Sequence, residues 1–215
     1  MKKEFWLERW QKGLTGFHSD DVNQYLEKWI EHAQLKKGSR VFVPLCGKSV
    51  DLLWLASLQF KVIGVEVSPL AIEQLINEYD LKAEVRQMDN FSVYSMRNLH
   101  IICGDYFELT AKHLGTIDFV YDRAALIALP QEMRQKYIAH MQTLIPSNVS
   151  TLLIALDYPQ EQMSGPPFSV SEHEIKQYYN KATLLESVDV LQESKKFSDR
   201  GVKSLIENVW YVGGV

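Results

Sequence analysis

Short apolar runs alternate along this chain with amphipathic segments of about ten residues, and that alternation restricts the fold more than any other feature. Val41-Phe42-Val43 and the runs at 62–67, 99–103, 117–122 and 151–156 each read as a buried strand. Between them, 50–60, 70–79 and 130–144 place apolar residues at helical spacing, and Ser68-Pro69 caps and starts the second of these. Strands joined by helices need crossover connections, which are nearly always right-handed. The product is an α/β fold, a doubly wound and mostly parallel sheet. Residues 82–98 are polar and read as irregular. After Gly165-Pro166-Pro167 the pattern changes. A short helix at 171–179 is followed by two strands, 184–191 and 205–212, with no long helix between them. That predicts an antiparallel pair closing one edge of the sheet. Two helices precede the alternation. The first, at about 5–12, bears Phe5, Trp6, Leu7 and Trp10, and Gly13 and Gly16 break it around Phe17 and His18. The second is predicted to start after a Ser19-Asp20-Asp21 cap and to end near Lys36-Lys37-Gly38.

Length and charge narrow the class. A chain of 215 residues suits one domain, here 1–215 with 1–37 as a helical cover. Lys and Arg number 23 against 27 Asp and Glu, a net charge of -4, which disfavours nucleic acid as a partner. No apolar run approaches the roughly 20 residues a membrane span needs, and Glu8, Arg9, Gln11 and Lys12 interrupt any signal-peptide core. Cys46 and Cys103 make no disulfide framework, and the six histidines show no ligand spacing, so no metal is expected. A cytoplasmic monomer acting on small molecules is the expectation.

In an open parallel sheet ligands bind beyond the carboxyl ends of the strands, and here every such end bears a polar or turn signal. The first strand runs into Pro44-Leu45-Cys46-Gly47-Lys48-Ser49, the second ends at Glu66, the third at Gly104-Asp105, the fourth at Asp122-Arg123 and the fifth at Asp157-Tyr158-Pro159. Gly47-Lys48-Ser49 suggests a phosphate loop, but Phe42 stands where its first glycine is required. A three-glycine dinucleotide fingerprint is missing too. A lone glycine before a helix N-terminus suits a smaller anion such as an amino-acid carboxylate. Glu66, 19 positions past Gly47, is placed to accept both hydroxyls of a ribose, the alternative being a solvated loop acid. A nucleoside with no pyrophosphate fits: S-adenosyl-L-methionine.

The blocks Val41-Phe42-Val43-Pro44-Leu45-Cys46-Gly47-Lys48, Val65-Glu66-Val67-Ser68, Tyr121-Asp122-Arg123-Ala124-Ala125-Leu126 and Gly165-Pro166-Pro167-Phe168 resemble the thiopurine S-methyltransferase family over nearly the whole chain. The resemblance implies a class I methyltransferase, Rossmann-like fold. It also implies transfer of a methyl group from S-adenosyl-L-methionine to a thiol sulfur, leaving S-adenosyl-L-homocysteine. By motif it places Trp10, Leu45, Glu66 and Arg123 at the cofactor, and Phe17 at the acceptor pocket. Mammalian members have an arginine before the last strand where this chain has Lys196, a mobile point charge instead of a planar fork. Bacterial relatives are associated with selenium and tellurium detoxification, so those compounds are a competing acceptor class.

Methyl transfer is an in-line displacement, and the thiolate is the reactive form of the acceptor. Arg123 is the cation best placed in sequence to favour it, and is expected to be catalytic; its alternative is a structural partner for Asp122 or another acid. Trp6, Trp10 and Phe17 read as an aromatic cover, the two tryptophans alternatively as residues docking the first helix. Asp105 reads equally as a hydrogen-bond partner of the adenine edge or as a turn cap. Cys46, with no base in sight, reads as a small packed residue. A non-catalytic nucleotide-binding module is a different class of function, against which the aromatic N-terminal helix and the charged segment 195–200 argue.

Overall fold

A computed structural model describes residues 3–213; Met1, Lys2, Gly214 and Val215, within the span expected to form one domain, lie outside the described residues. The elements run α1 (Lys3–Gln11), α2 (Gln24–Trp29), β1 (Arg40–Val43), α3 (Asp51–Ser57), β2 (Lys61–Glu66), α4 (Pro69–Glu78), β3 (Glu84–Met88), β4 (Phe91–Met96) and β5 (Leu99–Cys103). Then come α5 (Ala111–Leu114), β6 (Phe119–Arg123), α6 (Gln131–Leu144), β7 (Ser150–Asp157), α7 (Glu172–Tyr178), β8 (Ala182–Asp189), α8 (Lys195–Ser198) and β9 (Ile206–Val212). The nine strands form one sheet in the order β3-β4-β5-β2-β1-β6-β7-β9-β8. The five strands expected from the sequence form its parallel centre. The expected antiparallel pair lies at one edge, with β9 against β7 and β8 outermost.

Alternation along the strands divides the core between two faces. Phe42, Ile63 and Val65 face one side, where Tyr137 and Ile138 of α6 and Ile175 of α7 cover them. Val41, Val43 and Val62 face the other, under Tyr25 and Leu26 of α2, Leu52 and Leu55 of α3, and Ile72 and Leu75 of α4. A third, smaller cluster packs Phe197 of α8 against Leu156, Tyr158 and Leu205 beyond the strand ends.

Two expectations need correction. Residues 82–98 are a β-hairpin, β3 and β4, with Met88 opposite Phe91 across Asp89-Asn90. β3 is an edge strand with almost every side chain in water, so burial left no apolar pattern to read there. β4, by contrast, alternates buried Phe91 and Val93 with half-exposed neighbours, a period of two that the polar surroundings obscured. The second helix starts later than its predicted cap. Asn23 accepts the amides of Tyr25 and Leu26, while Ser19 Oγ accepts only the Asp21 amide in a local turn. Asn23 wins because its own amide is anchored on Asp51 Oδ1 at 2.8 Å, a partner 28 positions away.

The α6–α7 layer is joined by a buried ion pair. Arg134 Nε and a second guanidinium nitrogen donate to the two oxygens of Glu174 at 2.7 and 2.8 Å, and a third donates to the Leu129 carbonyl. Removing one member strands the other charge out of water. Arg134→Ala is expected to lower the unfolding free energy by about 3–5 kcal/mol in urea titrations; a loss under about 1 kcal/mol, typical of an exposed pair, would show that water compensates Glu174.

Candidate active site

The parallel strands end together on one side of the sheet, and a cavity of about 480 Å³ opens over those ends. Its walls include the loop after β1, the tip of β2, Arg123 at the end of β6, the aromatic residues of the N-terminal segment, and residues of α8. At the centre stands Glu66. Its Oε2 accepts the Gly47 amide at 2.9 Å and its Oε1 accepts the Ser68 amide at 2.8 Å. Its backbone carbonyl accepts the Gly104 amide at 2.9 Å. One residue therefore ties together the connections that follow β1, β2 and β5. Ser68 then turns into α4, its Oγ accepting the Ala71 amide.

The loop after β1 is held close to β2. The Cys46 amide donates to the Val65 carbonyl, and Cys46 Sγ packs on Gly64, where a Cβ would come within 2.7 Å of it. Burial pushes the Cys46 thiol pKa well up, which fits a packed residue rather than a nucleophile. Gly47 adopts φ +55°, and a Cβ there would meet the Trp10 ring at 3.3 Å. Glycine thus meets two demands at once, a left-handed backbone and an indole seated on it. Leu45, at φ +46°, also lines the cavity.

Trp10 is 3% exposed, so it docks α1 onto the body of the molecule and forms cavity wall as well. Phe17 stands edge-on to Trp6 and Trp10, with ring centroids 5.7 and 5.5 Å apart. At its carboxyl end β6 points Asp122 and Arg123 in different directions. Asp122 is buried, accepts Tyr137 Oη–H at 2.6 Å and the Leu126 amide at 3.1 Å, and has its pKa raised by burial to about 6. Arg123 is therefore not its structural partner. None of the ion pairs among the described residues involves Arg123, Lys196 or Arg200, and all three line the cavity. Lys196 bonds instead to a backbone carbonyl, that of Gly16. Asp105 is not among the lining residues; its carboxylate accepts the Phe107 amide at 2.9 Å and caps a 3₁₀ turn. Of the residues singled out in the sequence, Trp10, Phe17, Leu45, Gly47, Glu66, Arg123 and Lys196 converge on one cavity, and Asp105 stands apart.

Sequence reasoning passed over Asp51. It is 1% exposed, lines the cavity, and accepts both Tyr121 Oη–H at 2.9 Å and the Asn23 amide. An acid in an otherwise apolar helix start, 51–56, was the available signal.

The whole chain matches one family model. Residues 1–214 fit the model of the thiopurine S-methyltransferases. The chain belongs to that family. A thiopurine S-methyltransferase of Nitrosospira multiformis is 44% identical over 213 residues, 98% of this chain and 97% of that one. Among solved structures, a SAM-dependent methyltransferase of Anabaena variabilis has a TM-score of 0.65 at 16% identity, covering 99% of this chain and 95% of its own. The 1,6-didemethyltoxoflavin-N1-methyltransferase of Burkholderia thailandensis, solved with S-adenosylhomocysteine bound, has a TM-score of 0.61 at 13% identity over 98% of this chain and 87% of its own. These two share the class I methyltransferase fold.

Burial pushes the Glu66 carboxyl up to about 7, against the opposing pull of the Ser68, Gly47 and Val67 amides. Between the ordinary 4.5 and about 7 the folded chain keeps a proton that the unfolded chain has lost. Stability therefore falls as pH rises through that window, and the penalty is complete above it. Glu66→Gln deletes this titration. Denaturation curves of the wild type should fall relative to the variant by up to about 1.4 kcal/mol per pH unit across the window; parallel curves would mean that Glu66 ionises as it does in water.

Proposed function

We propose that this protein transfers the methyl group of S-adenosyl-L-methionine to the sulfur of a thiopurine or another small aromatic or heterocyclic thiol. The observation that supports it best is the Glu66–Gly47 bridge opening into a cavity that Arg123 also lines, with no ion-pair partner for Arg123 among the described residues. The donor set fits the cofactor. A carboxylate offers about four lone pairs; the Gly47 and Ser68 amides take two in close hydrogen bonds and the Val67 amide also pulls on it, so acceptor capacity remains for the vicinal hydroxyls of a ribose. Gly47 lets the Trp10 ring seat directly on the loop that lines the cofactor end. When bound, S-adenosyl-L-methionine supplies a methyl group already activated on a cationic sulfur, and S-adenosyl-L-homocysteine is left.

The chain's own residues then have three tasks. Glu66 holds the ribose, with Leu45, Gly47 and Trp10 bounding the rest of the cofactor site. Asp105, capping its turn, is left as a candidate for the adenine edge only through rearrangement. Arg123 draws an acceptor thiol toward its thiolate, because a nearby cation favours the charged form. Trp6, Trp10 and Phe17 keep water from the reacting pair. Opposite charges cancel as thiolate meets sulfonium, so a dry aromatic wall favours the transition state over the separated ions. We read the segment up to residue 37 as the cover of this site, and Phe17 and Lys196 as bordering the acceptor. The free thiols Cys46 and Cys103 suit a reducing cytoplasm. Selenium and tellurium acceptors are the competing class, since soft, polarisable atoms suit the same aromatic wall; headspace detection of their methylated forms, beside thiopurine turnover, separates the two.

Two ribose hydroxyls donating to Glu66 favour its ionised form, so binding expels a proton where the free carboxyl is still protonated. Affinity for S-adenosyl-L-homocysteine, measured by calorimetry, should rise with pH up to about 7 and then level off. Glu66→Ala should weaken binding by about 2 kcal/mol and abolish that rise; unchanged affinity would remove Glu66 from the ribose site. Arg123→Met should lower kcat/KM for thiopurine by about 100-fold and move the acceptor's apparent pKa upward, a size set by the loss of one charged hydrogen bond or more. An unaltered pH–rate profile would take Arg123 out of the mechanism.

A further inference from the structure

Lys196 reaches across the mouth of the cavity. Its Nζ donates to the Gly16 carbonyl at 2.6 Å, joining α8 to the break after α1, 180 positions earlier. Gly16 immediately precedes Phe17, and Gly16, Phe17 and Lys196 all line the cavity. The segment around Gly16 has few other holds. Gly13 and Leu14 donate to the Trp10 and Arg9 carbonyls, His18 donates to the Thr15 carbonyl, and the His18 ring bonds to Asp20, all within the N-terminal segment. Beyond these, Phe17 rests edge-on against Trp6 and Trp10, and the His18 side chain is mostly buried, near Lys48 and Glu78.

The charges around Lys196 explain why a carbonyl is its partner. Burial lowers its pKa, and so do Arg123 and Arg200, two like charges nearby. No carboxylate within ion-pairing distance compensates it among the described residues. The side chain is exposed, but with like charges beside it and no carboxylate in reach, the Gly16 carbonyl is the strong neutral acceptor it takes.

We propose that Lys196 is a positioning residue: through its bond to the Gly16 carbonyl it holds Phe17 in place as a wall of the acceptor end. Lys196 then shapes the acceptor site by way of Phe17, with no charge contact to the acceptor itself. The inference deepens the methyltransferase reading and rests on it for its kinetic consequence, whereas the tether can be tested without any turnover.

Two variants test it in the full-length protein. Lys196→Met keeps the reach of the side chain and removes the donor; Lys196→Arg keeps a donor. By hydrogen-exchange mass spectrometry, the amides of residues 13–18 should exchange at least about tenfold faster in Lys196→Met, with β9 unchanged and partial recovery in Lys196→Arg. Unchanged exchange at 13–18 would overturn the tether. Acceptor kinetics use 4-mercaptobenzoate and 4-mercaptobenzamide, which share a shape and differ in charge. A displaced wall should raise KM for both by the same factor, about tenfold, with a smaller effect on kcat. A loss confined to the benzoate would mean that Lys196 binds acceptor charge directly, and would overturn the positioning role. If the wild type methylates neither thiol nor thiopurine, the methyltransferase reading fails, and the exchange result still decides the tether.

Discussion

A carboxylate removed from water must take its compensation from neighbouring donors, and at the tip of β2 those donors belong to different connections. Glu66 receives one amide from the loop after β1 and another from the start of α4, while its carbonyl receives the amide that ends β5. The arrangement depends on the parallel centre of the sheet, which brings those strand ends side by side. Compensation is incomplete, since the carboxyl still holds its proton to about 7. The site thus keeps a polar group short of partners, and a ligand with two adjacent hydroxyls would complete the set.

Elsewhere the cavity wall carries cations, beside the acids Glu193 and Glu207. Arg123, Lys196 and Arg200 line it without ion-pair partners among the described residues. Asp122 would neutralise Arg123 if it turned the same way, but successive side chains of a strand point to opposite faces, and Tyr137 holds it in the core. The N-terminal segment meets both sets of residues. Trp10 closes on Gly47, and Gly16 is bound by Lys196. Asn23 bonds the same segment to Asp51 in the cavity wall. The segment is thus fastened at three points beside charged groups of the cavity wall.

Much of this was legible residue by residue. Val41-Phe42-Val43 and the run ending at Glu66 are buried on both faces, so their apolar character survives in any sequence window. Ser68-Pro69 announces α4 through its own side chain and ring, and both features are local. β3 was not legible, because an edge strand in water has no burial pattern to display. The start of α2 was misplaced because Ser19 and Asn23 are chemically similar caps, and the choice between them was made by Asp51, far along the chain. Asp105 satisfied two roles on paper; its side chain capped the nearest turn.

By itself the sequence determined the order of the central parallel strands and their crossover helices, the chemical groups at each of those strand ends and the family to which the chain belongs, because periodicity, turn chemistry and motif spacing are local properties. Only the tertiary structure decided which of those groups meet. Gly47 faces Glu66 and Trp10, Asp51 joins Tyr121 to Asn23, and Lys196 reaches Gly16. These partners lie up to 180 positions apart. The sheet's crossovers bring them together to satisfy buried donors and charges, and no window of sequence contains that requirement.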